Sequence, residues 1–352
     1  MSYSEILTAH GLTVEQWEDD ILTTYIGDLW FKKFMAKDEK GMNAVVQVKS
    51  DLTKKAGDAI TIGLRGKMQG GKVTGNAKGK ENAGKVDFYY VRQTVDNVRF
   101  VIKAEDIPMS QKRVSFDFLK EVKESLIEKA EEDTEDDIIT ALTGVSTGRV
   151  RGRYLYGAAD SNWNATHATA LTAIDNTADK LSLDMIDIGK RKATIPVNAT
   201  SKIRPMRTKV GTDLEEWFVF IGHTYAVRDL VNFDATFKNA AYLLPAVSNR
   251  DSSPLFTGSA FKGNYNGVLV YDYDRIPLVS STIQACHNLL LGAQAITLCW
   301  GQTSKYTDEG DDLGHDLYAE IHEIRGIGKL VFDRATPEDN GIVHIFSAAV
   351  AD

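Results

Sequence analysis

The chain has 352 residues, of which 43% are hydrophobic and 26% charged, with a formal net charge of −8 and a pI near 5.5. This is the composition of a globular protein of one large domain or two ordinary ones, and it excludes a surface built mainly to grip nucleic acid, which needs a net basic footprint. No apolar run reaches membrane-spanning length, and Met1–Glu5 has neither the basic start nor the apolar core of a secretory signal.

The first predicted element is helical. Thr13 and Gln16 fit a capping box ahead of apolar positions at Val14, Trp17, Ile21, Tyr25, Leu29 and Phe34, and Gly41 ends the pattern. The aromatic face needs a surface to pack on, so the segment reads as an N-terminal arm docked on its own body or on a neighbour's.

Residues 51–85 are the most informative stretch. They hold eight of the 28 glycines and eight lysines or arginines against three acids, Asp51, Asp58 and Glu81. Strand-like runs flank them, Ala59–Ile62 before and Val86–Val91 after. The pattern predicts a long β-hairpin with a glycine-rich, basic tip. An isolated hairpin is marginally stable in water. The expected support is an identical neighbouring subunit, which makes the feature an assembly arm rather than a catalytic loop.

Residues 86–103 alternate as a strand pair, with Phe88 and Tyr90, then Val98, Phe100 and Ile102, as the apolar set, and Pro108 stops the pattern. A long helix follows over about 115–143. Phe116, Leu119, Val122, Leu126, Ala130, Ile138 and Leu142 mark one face, and ten Asp or Glu against three Lys between 117 and 137 mark the other. Residues 144–180 are rich in Gly, Ser, Thr, Asn and Ala and read as an irregular excursion, with Arg149, Arg151 and Arg153 as solvated loop charge. A helix over 181–192, a strand at Trp217–Gly222, a helix over about 224–231, strands at Val268–Tyr271 and Ile276–Val279, and an alternating stretch over 317–350 complete an α+β pattern without a βαβ rhythm.

Catalytic signatures are sparse. Gly66–Lys72 and Gly79–Lys85 match G-x-x-x-x-G-K, yet valine follows each where magnesium binding needs a hydroxyl, and neither is expected to open a helix. His315 and His322, near Asp308, Asp311, Asp312 and Asp316, lack metal-ligand spacing. Cys286 and Cys299 lie among apolar residues and read as small buried thiols in a reducing compartment. No catalytic, cofactor or metal residue is assigned, and no enzyme activity is expected.

The order of arm, basic hairpin, long helix and mixed body resembles the major capsid proteins of tailed bacteriophages, the HK97-like fold. Ala56–Leu64 with Gly70–Gly75 looks like the start of the E-loop in the podovirus-type branch of that family. Pro254–Val268 is similar to the same branch's F-x-G … G-x-Y-x-G-V segment, and Ile276-Pro277 also fits. Residues 144–180 match nothing in that pattern.

The resemblance implies an N-terminal arm (1–50), an E-loop hairpin with flanking strands (51–105), a P-domain with the spine helix and excursion (106–180), an A-domain (181–299) and C-terminal strands returning to the P-domain (300–352). It implies hexamers and pentamers forming an icosahedral shell around double-stranded DNA. The implied partners are a separate scaffolding protein, a portal, decoration proteins and loosely held DNA, with assembly in the host bacterial cytoplasm. An encapsulin-like nanocompartment, or a nucleotide-binding enzyme using the Gly/Lys-rich loop, is the alternative. In the resembling fold the E-loop crosses a neighbour's spine helix. That places Arg65, Lys67, Met68, Lys72, Lys78, Lys80 and Lys85 against Glu121, Glu124, Glu128, Glu131 and Glu132 between subunits. The plainer alternative is that both charged faces are solvated and the hairpin is held by backbone pairing and Met68.

Overall fold

The computed structural model describes residues 29–349 apart from 38–41, 55–56, 67–71, 76–77, 79, 81–83, 116–117, 147–148, 200, 211–212, 234–254, 256–257, 281–282, 312–314 and 335. The helix expected before residue 29 lies outside them. Where that helix was expected to continue, Trp30–Phe34 forms a 3-10 turn. Tertiary packing explains the change. Phe31 and Phe34 are 1% exposed, and Trp30 stacks 4.4 Å from Tyr273 and meets Phe31 edge-on at 4.9 Å. The tighter turn sends three aromatic rings inward in five residues.

The N-terminal part supplies β1 (Met35–Lys37), β2 (Val46–Lys49), β3 (Ala59–Arg65), β4 (Phe88–Thr94) and β5 (Asp96–Ala104). Helices α1 (Ile107–Arg113) and α2 (Phe118–Thr143) follow. Pro108 sits in the first turn of α1, where its missing N–H costs nothing, so the residue expected to stop a strand also starts a helix. The middle contributes β6 (Tyr154–Tyr156), α3 (His167–Thr172), α4 (Leu183–Thr194), β7 (Met206–Val210), β8 (Asp213–Gly222) and α5 (Thr224–Phe233). The remainder is strand: β9 (Phe261–Tyr265), β10 (Val268–Asp272), β11 (Leu278–Ser280), β12 (Gln284–Leu291), β13 (Ile296–Asp311), β14 (Asp316–Lys329) and β15 (Ile342–Ala348).

These elements form two sheets and a separate hairpin. One sheet has the order β1-β2-β13-β14-β5, parallel at β1/β2 and β2/β13 and antiparallel beyond. The other runs β6-β15-β12-β8-β10-β9, with β11 beside β12 and β7 beside β8. The third unit is β3 paired with β4. Helix α2 lies on the first sheet, burying Leu126, Ala130, Thr134, Ile138 and Leu142 at four-residue steps. Its 26 residues span about 39 Å.

The segment 144–180 corrects the expectation of an irregular loop. β6 is fully buried and pairs in parallel with β15, His344 opposite Tyr154 and Phe346 opposite Tyr156. The opposed rings stack at 4.6 Å and 4.9 Å. Arg153 is 0% exposed rather than solvated. Its Nη2 donates to the Ser201 carbonyl (2.6 Å) and faces Glu338 (3.3 Å), which also holds Arg334 at 2.8 Å.

Beside it runs a second buried polar chain. Asp339 accepts from Ser146 (2.7 Å), Tyr154 (3.2 Å) and His344 Nε2 (3.1 Å) and faces Lys329 at 2.9 Å. His344 Nδ1 lies 2.8 Å from His287 Nε2. With His344 donating to Asp339, a neutral His287 donates to His344, and both imidazoles are satisfied uncharged. Burial holds both below their ordinary value of 6.5. Burial works against the Asp339 carboxylate, yet His344 and Lys329 keep its pKa depressed.

The pH dependence follows from these directions. The unfolded chain takes up protons below about pH 6.5 at histidines that the native state keeps neutral, and below about pH 4 at Asp339. Both terms remove stability as the medium is acidified and leave it intact above pH 7. The melting temperature is expected to be flat from pH 7 to 8 and to fall between pH 6.5 and 5. A melting temperature unchanged down to pH 4.5 would contradict the neutral histidine pair.

Candidate assembly interface

The hairpin is built from two alternating strands in one register. Ile62 lies opposite Val91 and Leu64 opposite Tyr89, while Gly63 faces Tyr90 and Arg65 faces Phe88. Ile60 and Ile62, 6% and 5% exposed, pack with Cys299, Leu330 and Phe332. The base of the hairpin is therefore held by its own subunit, and the expectation that a neighbour must support all of it is corrected. β14 passes close beneath. A Cβ at Gly326 would sit 2.1 Å from the Thr94 carbonyl, so only glycine allows that approach.

The sequence pattern grouped Phe88 and Tyr90 with Val98, Phe100 and Ile102 as one apolar alternation. Phe88 and Tyr90 are 75% and 56% exposed, and Tyr89 and Val91 pack inward instead. A shift of one residue reverses every side chain on a strand. The signal that fixes the face is the partner strand: Ile60, Ile62 and Leu64 alternate cleanly, and their register selects Tyr89 and Val91. These outward aromatics are interface candidates whose facing the alternation alone does not give.

Beyond Arg65 the hairpin closes with a hydrogen bond from Gly66 N to the Asp87 carbonyl (2.8 Å). Arg65, Lys72, Lys78, Lys80 and Lys85 are exposed, and Lys85 pairs with Asp87 at 3.4 Å. Lys67 and Met68 lie outside the described residues. Lys85 leads into β4, and Lys72 precedes extended chain. Among the described residues, neither glycine-lysine stretch leads into a helix, whose N-terminus is what a phosphate-binding loop uses.

On α2 the acids divide into two groups. Asp133 and Asp137 hold Arg325 at 2.9 Å each, and Glu135 and Asp136 hold Arg275 at 3.1 Å and 2.7 Å. Glu135 also accepts from Tyr273 (2.8 Å) and from the Trp30 amide (2.6 Å). These carboxylates fasten the helix to its own subunit, with burial raising the pKa of Asp137 and of the fully buried Glu323 beside Arg325. Nearer the N-terminal end, Glu121, Glu124, Glu128 and Glu132 face solvent, while Glu131 is half-buried. Glu124 forms an i,i+4 pair with Lys120 at 3.5 Å. Of the acidic face read from the sequence, the C-terminal part is internal bracing, and Glu121, Glu124, Glu128 and Glu132 of the N-terminal part are exposed.

Other candidates resolve into structure. Cys286 and Cys299 are buried thiols outside any disulfide, and burial pushes the Cys286 thiol up to about 12, away from the thiolate form. His315 lies 3.8 Å from Asp106, and His322 sits in β14 opposite Lys305.

Comparison with known proteins agrees with this architecture. A family model described as phage capsid protein matches residues 6–351. No curated protein matches the sequence. Among solved structures, the fold is similar to the capsid of cyanophage Pam1, with a TM-score of 0.74 at 24% identity over 92% of both chains. It is also similar to the capsid of Ralstonia phage GP4, with a TM-score of 0.75 at 19% identity over 92% of both chains. The head of Helicobacter pylori bacteriophage KHP40 gives a TM-score of 0.67 at 16% identity, covering 91% of this chain and 92% of that one. A family match over nearly the whole chain settles the assignment: the chain belongs to the phage capsid protein family and is a major capsid protein with the HK97-like fold, a unit of an icosahedral shell.

Proposed function

We propose that the protein assembles as hexamers and pentamers, with the basic hairpin tip of each subunit lying on the acidic N-terminal half of a neighbour's α2. The single observation that carries this reading is the pair of exposed, oppositely charged surfaces. Arg65, Lys72, Lys78, Lys80 and Lys85 stand on a segment with no apolar core of its own, and Glu121, Glu124, Glu128 and Glu132 stand on a rigid helix. Lys67, Met68 and Glu131 belong to the same proposed contact. The arm, hairpin, peripheral and axial parts divide as the resemblance implies. A separate scaffolding protein, a portal and decoration proteins complete the particle, which encloses double-stranded DNA by loose contact and is built in the host cytoplasm.

Each exposed ion pair is worth only about 0–1 kcal/mol, so no single lysine is essential. Repeated at every subunit contact, the pairs act together. Changing Lys72, Lys78 and Lys80 to glutamate is expected to impair assembly while leaving the subunit folded. Changing Glu121, Glu124 and Glu128 to lysine in the same chain is expected to restore part of it. Sedimentation at low salt reads the result. Normal assembly of the triple lysine variant, or no rescue by the swap, would exclude the pairing.

A further inference from the structure

A cavity of about 380 Å³ opens between the 3-10 turn Trp30–Phe34, β1 and the β7–β8 hairpin. Its wall is apolar, with Met35, Ala36, Met206, Leu214 and Leu255. Leu214 is 65% exposed, an uncovered large side chain at the rim. Lys33 lies at the lip with its ammonium 4.1 Å from the Tyr271 ring centre, 4.2 Å from that of Trp30 and 5.1 Å from that of Phe34. Among the described residues no carboxylate pairs with it, and burial lowers its pKa to about 8. Arg207, itself paired with Glu216 at 2.7 Å, adds a second cation to the lining. An apolar groove edged by an ammonium and a guanidinium is suited to an acidic amphipathic helix.

The sequence contains such a segment. Residues 1–28 carry Glu5, Glu15, Glu18, Asp19, Asp20 and Asp28 and no lysine or arginine. Val14, Trp17, Ile21 and Tyr25 recur at helical spacing, with Glu18 one turn from both Val14 and Ile21 on the flank of that stripe. The segment joins the described chain at Leu29, four positions before Lys33. A tether that short gives an effective concentration in the millimolar range or above, which favours the chain's own groove over a neighbour's.

We propose that the acidic amphipathic segment 13–28 folds back onto this groove of its own chain. Trp17, Ile21 and Tyr25 cover Met35, Met206, Leu214 and Leu255, and the carboxylates face Lys33 and Arg207. The contact is a latch inside one subunit and does not depend on how the hairpin meets its neighbours.

The test uses the full-length chain with Ile21→Cys and Leu214→Cys, both native thiols being buried, and a short flexible bis-maleimide. An intrachain cross-link is expected when both cysteines are on one chain, and none between single-cysteine chains mixed during assembly. No cross-link, or one that forms only between chains, would overturn the proposal. A second readout is acetylation of Lys33 followed by mass spectrometry. Trp17→Ser, Ile21→Ser and Tyr25→Ser together are expected to raise its rate about tenfold, the protection given by a docked state favoured by about 1.4 kcal/mol. Equal rates in the variant and the wild type would also overturn it.

Discussion

Replacing residues 67–84 with a short Gly-Ser turn is expected to leave a folded subunit and no shells. The hairpin is closed by the Gly66–Asp87 hydrogen bond, and its own contribution to the core comes from Ile60 and Ile62 below that point. The described residues of the tip, Lys72–Gly75, Lys78 and Lys80, are exposed, so their removal forfeits almost no buried apolar area. The melting temperature should move by no more than about 2 °C, the effect of under one kcal/mol on a protein of this size. Calorimetry and electron microscopy of the same preparation separate the two outcomes. Global unfolding would make the tip part of the core, and normal shells would deny it a role in assembly.

A second large effect is expected at Glu338, whose partner Arg334 lies over the Tyr89 ring at the base of the hairpin. Its carboxylate is fully buried and is shared by Arg153, Arg334 and Ser201. Glu338→Ala leaves the Arg153 guanidinium, 0% exposed, without its direct ion-pair partner, keeping among the described residues its hydrogen bonds to Ser201 and the more distant charge of Asp339. Breaking a buried pair in this way costs about 3–5 kcal/mol, because the remaining charge stays desolvated and unpaired. Denaturant unfolding is best measured in the tip-deleted chain, so that assembly does not mask the loss. Lys85→Ala, which removes the exposed partner of Asp87, should leave the midpoint unchanged. A loss below one kcal/mol for Glu338→Ala would show that the cluster relaxes or admits water.

Where sequence and structure agree, the reason is periodicity carried by several residues at once. The α2 stripe of Leu126, Ala130, Ile138 and Leu142 repeats over four turns, and no other conformation buries all of it. The strands at Trp217–Gly222 and Val268–Tyr271 are apolar without a break, as strands covered on both faces must be. The basic hairpin was legible because glycine and lysine dominate a stretch that no core could use.

The failures have equally local causes. The facing of Phe88 and Tyr90 was not legible because alternation alone does not say which phase faces inward; the facing strand decides that. β6 is three residues long, and Tyr154-Leu155-Tyr156 is too short a run to signal a strand. It becomes one only because β15, nearly 200 positions later, offers an edge and two stacking rings. Arg153 followed from the same error, since a charge in a presumed loop is read as solvated. The acidic face of α2 divided for another reason. Arg275 and Arg325 lie 130 or more residues beyond the helix, and nothing in its own sequence shows that Asp133, Glu135, Asp136 and Asp137 are bracing. The residues of the proposed contact were therefore legible as charge and composition, and which of the acids stay exposed was not.

The proposed assembly turns an independently folded subunit into a container through an exposed arm. Electron microscopy of the purified wild-type protein, expressed with and without the proposed scaffolding protein, is the sharpest check. Closed shells, or rings of five and six subunits, are the expected result, with the tip-deleted chain remaining unassembled beside them. A monodisperse monomer across a wide concentration range, with no shells even when the scaffold is present, would contradict it.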